Sequence, residues 1–427
     1  MSLTSSIYTS VSGMNAIASG LSVLGDNLAN TNTVGFKNSR ALFGDILSQE
    51  MDKSGSGVML QKVDTEFNQG TLSTTSNPLD FAIDGGGFFI VKDLAGKEFY
   101  TRAGIFSPDS SYSLVTPEGM NLQGYLADNS GNITTTVGNI QIPLNPVTDS
   151  SGNIQMEPTM LPAATTTASM AVNLYSNSET PSTPWSLDPA SGAASGASNF
   201  DSSVDVYDSS GNKHTVDVLF RKVADNTWDA HVVWNNGKSS NNYQEQVIPG
   251  ITFDGATGQL VNPAGQTPVS LTWDAAWGVT SPQTVTLGLD NTTQYGTPNS
   301  VMFLSADGYA EGGLTTFRTD ASGRIYGEYS NGREHKIAQI CLAQFNEPKE
   351  LRKMGNHLFA ESDTSGVKAV SAPGDKGAGS VSANSLEMSN VDMASEFVTM
   401  ISLQRAFQAN TMVMSTTNEM YTRLTNL

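Results

Sequence analysis

From Leu3 to Leu28 the chain contains no proline, and apolar residues recur at Ile7, Val11, Met14, Ala18, Leu21, Gly25 and Leu28. This alternation of three and four residues is the period of an amphipathic helix. The far end repeats it: Met393, Met400, Phe407, Met414 and Tyr421 stand seven residues apart, with Phe397, Leu403 and Leu424 interleaved. Ser389-x-x-Asp392 fits the Ser/Thr-x-x-Asp/Glu capping pattern and predicts where this second helix starts. At 1.5 Å per residue, Met393 to Leu424 spans about 47 Å, the length of a rod rather than of a small globular helix. In the first helix Ile17 and Leu24 widen the apolar stripe to roughly 140°, broader than one partner helix needs. Either the two helices form an intramolecular coiled coil with a wet outer face, or part of the stripe is buried by other subunits, and the width favours the second.

Between the ends the pattern changes to period two and short continuous apolar runs. Phe88-Phe89-Ile90-Val91, Val216 to Phe220, His231 to Trp234 and Ile337 to Leu342 predict strands. Asp128 to Asn132, Asp149 to Asn153, Asp208 to Asn212 and Asp320 to Arg324 separate strands as Asp/Gly/Asn turns. The Thr/Ser/Ala/Pro-rich tract Pro158 to Asn199 predicts connections with few strands, at the entry to an inserted domain. A second loop-rich tract, Asp363 to Ser385, leads into the last helix. Because each terminal helix needs an apolar partner, the chain goes out and comes back. The expected fold is mainly β with terminal α-helices: a two-helix coiled-coil stalk and two or three β-rich domains in line. The expected boundaries are a helical domain of 1–30 and 390–427, an extended linker region of 31–68 and 360–389, an inner β domain of 69–145 and 296–359, and an outer inserted β domain of 146–295.

A length of 427 residues calls for more than one core, and 38% hydrophobic residues suffice to build them. Charged residues are only 15%, replaced by Ser, Thr, Asn and Gly, which desolvate cheaply when copies pack together. A net charge of −19 without any Lys/Arg run excludes a nucleic-acid partner and an acidic membrane surface. No stretch reaches the roughly 18 apolar residues of a membrane span, so no membrane insertion is expected. Residues 1–36 carry one charged side chain, Asp26, and no apolar core of a secretory leader, which leaves a cytosolic life or a dedicated export machine.

Candidate chemistry is sparse. The Asp turns lack the further acidic ligands of a calcium loop. His214, His231, His335 and His357 are isolated in sequence, and Cys341 sits in an apolar run as a small core thiol. Gly85-Gly86-Gly87 precedes a strand instead of opening a helix, which predicts a bulge or close strand approach and not a phosphate loop. No Gly-x-Ser-x-Gly occurs. No catalytic, cofactor or metal residue is therefore expected, and the chain is read as a non-enzyme.

The segment Asn27-Leu28-Ala29-Asn30-Thr31-Asn32-Thr33-Val34-Gly35-Phe36-Lys37 ends a helix: Asn and Thr compete for backbone hydrogen bonds, Gly35 permits a positive φ, and Phe36 anchors the emerging chain. It resembles the Asn-x-Leu-Ala-Asn-x-x-Thr-x-Gly-Phe-Lys signature of the bacterial flagellar rod and hook axial proteins. Leu386 to Asp392 and Glu396 to Asn410 are similar to that family's other terminal signature. Gln69-Gly70-Thr71-Leu72, Asn77 to Gly85, Phe88-Phe89 and Thr101-Arg102-Ala103-Gly104 are similar to its inner β domain. The long central insertion resembles hook members rather than the shorter rod members, with a distal rod protein as the alternative.

The resemblance implies a helical homopolymer: a hollow, bendable tube, lined by the paired terminal helices, that acts as a universal joint between motor and filament. It implies as partners other copies of the chain, the distal rod and hook–filament junction proteins, the hook cap and the type III export apparatus. The assembly residues would be Ile7, Val11, Met14, Leu21, Leu24, Leu28, Phe397, Met400, Leu403, Phe407, Met414, Tyr421 and Leu424, with Asn27 to Lys37 as the joint of stalk and body. Phe43-x-x-x-Leu47 matches the motif such subunits are thought to present to the export gate, unless Phe43, Ile46 and Leu47 simply pack on the stalk. A secreted β-rich adhesin with trimerising ends and a hydrolase are the rivals from other classes.

Overall fold

Two long helices bracket the chain, α1 over Leu3–Ala29 and α2 over Met393–Thr425. The computed structural model describes residues 3–46, 57–128, 131–148, 153–195, 198–238, 241–263 and 265–425. Helix α2 starts three residues later than its expected cap. The Asp392 carboxylate, not the Ser389 hydroxyl, accepts the Ala394 N–H at 3.0 Å and the Ser395 N–H at 3.5 Å. Residues 389–391 are non-helical because Asn390 holds the body instead, as described below.

The helices run antiparallel in a register that advances by seven on each. Asn27 meets Glu396, Gly20 meets Leu403 and Gly13 meets Asn410. The α1 face turned inward is Ser10, Gly13, Ala16, Gly20, Leu24 and Asn27, which is small or polar except for Leu24. A Cβ added at Gly20 would sit 3.1 Å from the Phe43 ring and 3.2 Å from Leu403 Cδ1, so the close approach depends on glycine.

Most of the large apolar residues of the pattern lie off this seam. Ile7, Val11, Met14, Leu21 and Leu28 are only partly buried, and Ala18 and Gly25 are exposed. On α2, Met400 and Leu403 are partly buried, whereas Phe397, Phe407, Met414 and Tyr421 are exposed; the Leu424 side chain lies outside the described residues. Small residues bring the backbones together, and the bulky ones are displaced to the flanks.

Strands β1 (Ser39–Asp45) and β2 (Val58–Thr65) form an antiparallel hairpin with a bulge at Leu42/Phe43, where an extended linker was expected. The next strands are β3 (Leu72–Thr74), β4 (Phe81–Asp84), β5 (Phe88–Lys92) and β6 (Glu98–Thr101). Strand β5 pairs with β6, with Asn121–Ala127 and with the returning strand Leu342–Gln344. Outgoing and returning segments thus share one sheet. Its core holds Phe88, Ile90, Tyr100, Phe345 and Phe359 around Cys341, whose thiol is pushed up to about 12 by burial. Gly85 and Gly87 have φ of 111° and 120°, and a Cβ at Gly85 would sit 3.0 Å from Gly379 Cα: the glycines serve a close backbone approach.

Much of 360–389, expected as linker, belongs to this body. Ala369–Ser371 pairs with Leu342–Gln344, Ser380–Ala383 with β4, and Ser385–Glu387 with β3. These strands are three or four residues long and rich in Ser and Ala, too short to show a period.

The chain divides into two compact units, one of Met1–Leu144, Thr315–Glu328 and Glu334–Leu427, the other of Asn145–Leu314 and Tyr329–Arg333. The second unit has two five-stranded sheets. One is a meander of Phe200–Tyr207, Lys213–Ala224, Thr227–Asn235, Tyr243–Phe253 and Leu260–Asn262. The other is built on Thr167–Tyr175, a nine-residue strand inside the tract expected to hold mainly connections. Ser300–Ala306 pairs antiparallel with it, so the return to the inner domain does not occur at 295. Both sheets contribute to one core, including Val172, Leu174, Val218, Phe220, Trp228, Ile251 and Leu271.

Trp228 is fully buried and its indole N–H donates to Gln294 Oε1 at 3.0 Å. Truncating it opens a cavity and orphans that acceptor. Trp228→Ala should therefore lower the stability of the second unit by about 3–5 kcal/mol. Differential scanning calorimetry should show one transition shifted and that of the helix-bearing unit in place.

Candidate functional site

The last turn of α1 is tied to the hairpin by one side chain. Asn27, fully buried, donates from Nδ2 to the Ser39 carbonyl at 2.8 Å and accepts the Ser39 N–H at 2.9 Å. Such a two-point amide clamp fixes the angle at which the chain leaves the helix. Asn30 Nδ2 and Thr31 Oγ1 then satisfy the last helical carbonyls of Asp26 and Leu28, at 2.9 and 2.8 Å. Thr33 Oγ1 donates to Asn30 Oδ1 at 3.2 Å. Leu28 is partly buried and Ala29 exposed, so these two are not part of the clamp.

Gly35 has φ of 70°, and a Cβ there would lie 2.4 Å from the Ala103 nitrogen. Only glycine fits, and its N–H donates to the Glu387 carbonyl at 2.7 Å. Phe36 is buried, edge-on to His357 at 6.2 Å, with Lys353 Nζ over its ring at 5.5 Å.

Lys37 is the charged centre of the joint. Its fully buried ammonium donates to Glu387 Oε1 at 2.5 Å and to the Asn68 carbonyl at 2.8 Å. Arg102 Nη1 reaches Glu387 Oε2 at 3.3 Å and Nη2 donates to the Gly85 carbonyl at 2.9 Å. Gly70 N–H donates to Glu387 Oε1 at 2.9 Å. Burial pushes both cations below their ordinary values, and Glu387 works against that shift in each. One carboxylate thus joins the N-terminal motif, the Thr101-Arg102-Ala103-Gly104 segment and the C-terminal signature. Asn390 adds a second tie: its Oδ1 accepts the Asn38 N–H at 2.8 Å, and its Nδ2 donates to the carbonyls of Glu66 and Asn68 at 2.8 and 3.0 Å.

Sequence reasoning placed Lys37 and Gly35 here but did not single out Glu387, Arg102 or Asn390. The available signal was a lone acid in Leu386-Glu387-Met388, an apolar context that calls for a paired cation. Phe43 packs beside Gly20, in keeping with attachment to the helix pair, and Leu47 lies outside the described residues.

Asp208, Asp320, His214 and His231 are engaged in local contacts, and the Asp149 turn lies outside the described residues. Asp208 Oδ1 accepts the N–H of Ser210 and Asn212, and Asp320 Oδ1 that of Ser322 and Arg324, as turn caps. His214 stacks on Trp273 and bonds Asp208 Oδ2 at 2.9 Å, and His231 stacks on Trp185 against Glu245. Among the described residues no group of three or more His, Cys, Asp or Glu could hold a metal ion, and no helix is long and apolar enough to cross a membrane.

Four family models match in chain order, all drawn from one class, the rod and hook proteins of the flagellum. They are flagella basal body rod protein over residues 7–37, flagellar hook protein FlgE/F/G D1 domain over 82–158, flagellar basal body protein FlaE D2 domain over 173–309, and flagellar basal body rod FlgEFG protein C-terminal over 382–427. The flagellar hook protein FlgE of Escherichia coli is 34% identical over 419 residues, covering 98% of each chain. That of Treponema pallidum is 31% identical over 471 residues, covering 97% of each. A crystal structure of Helicobacter pylori flagellar hook protein FlgE2 shares the fold, with a TM-score of 0.51 at 15% identity, covering 74% of this chain and 100% of that one. The chain belongs to the flagellar hook protein FlgE family.

Removing Glu387 leaves two buried cations without a counter-charge. Glu387→Ala should destabilise the helix-bearing unit by about 3–5 kcal/mol, and Glu387→Gln by less because it retains an acceptor. Urea titration followed by circular dichroism distinguishes the two.

Proposed function

We propose that this protein is the structural subunit of a bacterial flagellar hook, polymerising through its terminal helices into a hollow, bendable tube that transmits motor torque to the filament. The observation that carries the reading is the surface of α2. Ten of its apolar side chains, from Met393 to Tyr421, are 39–73% exposed in the single chain. That is on the order of 800 Å² of apolar surface, the size of one side of a standard protein interface. A patch of this extent on a monomer marks an interaction surface. The exposed residues lie all along the helix, so neighbouring copies on several sides are needed to cover them. Phe397, Met400, Phe407, Met414, Tyr421 and Leu424 on α2, with Ile7, Val11, Met14, Leu21 and Leu28 on α1, are assigned to this packing, whereas Leu24 is buried in the seam of the helix pair.

The β units lie outside the helical lining in this reading and slide on their neighbours as the tube bends. Ser-, Thr- and Asn-rich surfaces suit such interfaces because little apolar area must be re-exposed. The subunit acts by assembly and not by turnover. Its partners are further copies of itself, the distal rod and hook–filament junction proteins at the two ends, the hook cap during growth, and the type III export apparatus that delivers it. Phe43 and Leu47 are the candidate export-gate residues.

Phe407→Asp or Leu21→Asp places a charge on the packing surface without touching either β core. Electron microscopy should show curved tubes of the wild-type protein and none of either variant, while circular dichroism of the variants stays native. Normal tubes from both variants would falsify the terminal-helix assignment.

A further inference from the structure

Glu396 stands where α2 leaves the body, in the first turn of the helix, and it is buried. Its carboxyl is poorly served. Oε1 lies 3.4 Å from Asn27 Nδ2 and 3.5 Å from Asn38 Nδ2, both long for hydrogen bonds, and Oε2 is buried with no partner. The Asn27 amide is already committed to Ser39 through both its atoms, and Asn38 reaches Asn390 through its backbone N–H.

The charged groups around it do not help. Glu66 beyond β2 and Asp392, the residue that caps α2, are both acidic. Lys37 and Arg102 are committed to Glu387, and Lys353 is turned to Ser39 Oγ, the Phe36 ring and Asp26. Among the described residues no Lys, Arg or His forms an ion pair with Glu396. The first-turn amides of α2 favour an anion, but the Asp392 carboxylate already takes the N–H groups of Ala394 and Ser395. A buried carboxylate with one bare oxygen and acidic neighbours is the opposite of the Glu387 arrangement a few residues earlier.

We propose that Glu396 is a pH-responsive latch at the joint between the helix pair and the β body, holding it closed while the carboxyl is neutral and loosening it once ionised. Burial first, then the Glu66 and Asp392 charges, raise the carboxyl above its ordinary value, and the Asn27 contact only partly opposes them. The stabilisation is therefore fully present below the unfolded pKa and is lost as pH rises through the raised folded one. Across that interval the joint opens up to about tenfold more readily per pH unit. The release is local to the joint, because the Gly20–Leu403 and Gly13–Asn410 approaches of the helix pair and the core of the second unit do not involve this group. Its consequence is a joint that is most rigid in acid and gains freedom as pH rises through the raised value.

The test is hydrogen–deuterium exchange of the full-length protein, at a concentration where light scattering shows monomer, from pH 4.5 to 7.5 with intrinsic rates corrected. In wild type, protection of peptides spanning residues 24–40 and 388–400 should fall with rising pH. In Glu396→Gln it should stay high throughout, while Lys213–Ala224 behaves alike in both. A flat wild-type profile, or identical profiles in wild type and variant, overturns the latch. Should Glu396→Gln not fold, carbon-13 titration of the Glu396 carboxyl in wild type decides the matter, and a midpoint in the ordinary glutamate range rejects the proposal.

Discussion

One buried carboxylate holds the helix-bearing unit together. Glu387 accepts from Lys37, from Arg102 and from the Gly70 N–H, and its own carbonyl takes the Gly35 N–H. Burying charge is unfavourable unless every partner is in place, so the cluster is stable only when all three chain segments are assembled. Lys37 and Glu387 are 350 residues apart in sequence. The loop-closure entropy of so long a span grows only slowly with length, which is how a whole folded unit can be inserted between the two ends. That second unit keeps its own two-sheet core and contributes nothing to the charged cluster.

The two helices that emerge from this joint divide their surface in an unusual way. Gly13, Ala16 and Gly20 face the partner helix, while Phe397, Phe407, Met414 and Tyr421 face outward. A helix pair built to be stable alone would place the large residues in the seam, where each buried side chain contributes about 1.5–3 kcal/mol. Here the seam fixes register through close approach and through Asn27 and Asn410, and the larger hydrophobic contribution is left for contacts between copies. The arrangement sacrifices monomer stability and suits a chain whose working state is an assembly. The same joint carries both a fully partnered acid, Glu387, and a half-partnered one, Glu396, so its rigidity is set by how well each carboxyl is satisfied.

Much of this was legible before any coordinates. The period of three and four gave both helices, because a long amphipathic segment imprints its geometry on residue order. Gly35 and Lys37 were recognisable in a motif that ends a helix, and the turns at Asp208 and Asp320 were identified as caps because each is closed within five residues. Alternating runs such as Val216 to Phe220 announced strands by the same local logic. What local pattern determines, by itself, is the kind of element and where the chain must turn.

Tertiary structure decided the rest. Which helix face is the seam depends on how near two backbones can come, so the stripe of large residues could not by itself say which of them the partner helix covers. The strands at 369–371, 380–383 and 385–387 exist only because strands from the first hundred residues, or one just before them, lie alongside to be paired. Glu387 and Arg102 look unremarkable in sequence, since their meaning is each other and Lys37, and that proximity is created by folding. Residue order specified the elements, the turns and the family signatures; the partners of buried charges, the ownership of short strands and the faces left bare were set by which distant segments came within ångströms of one another.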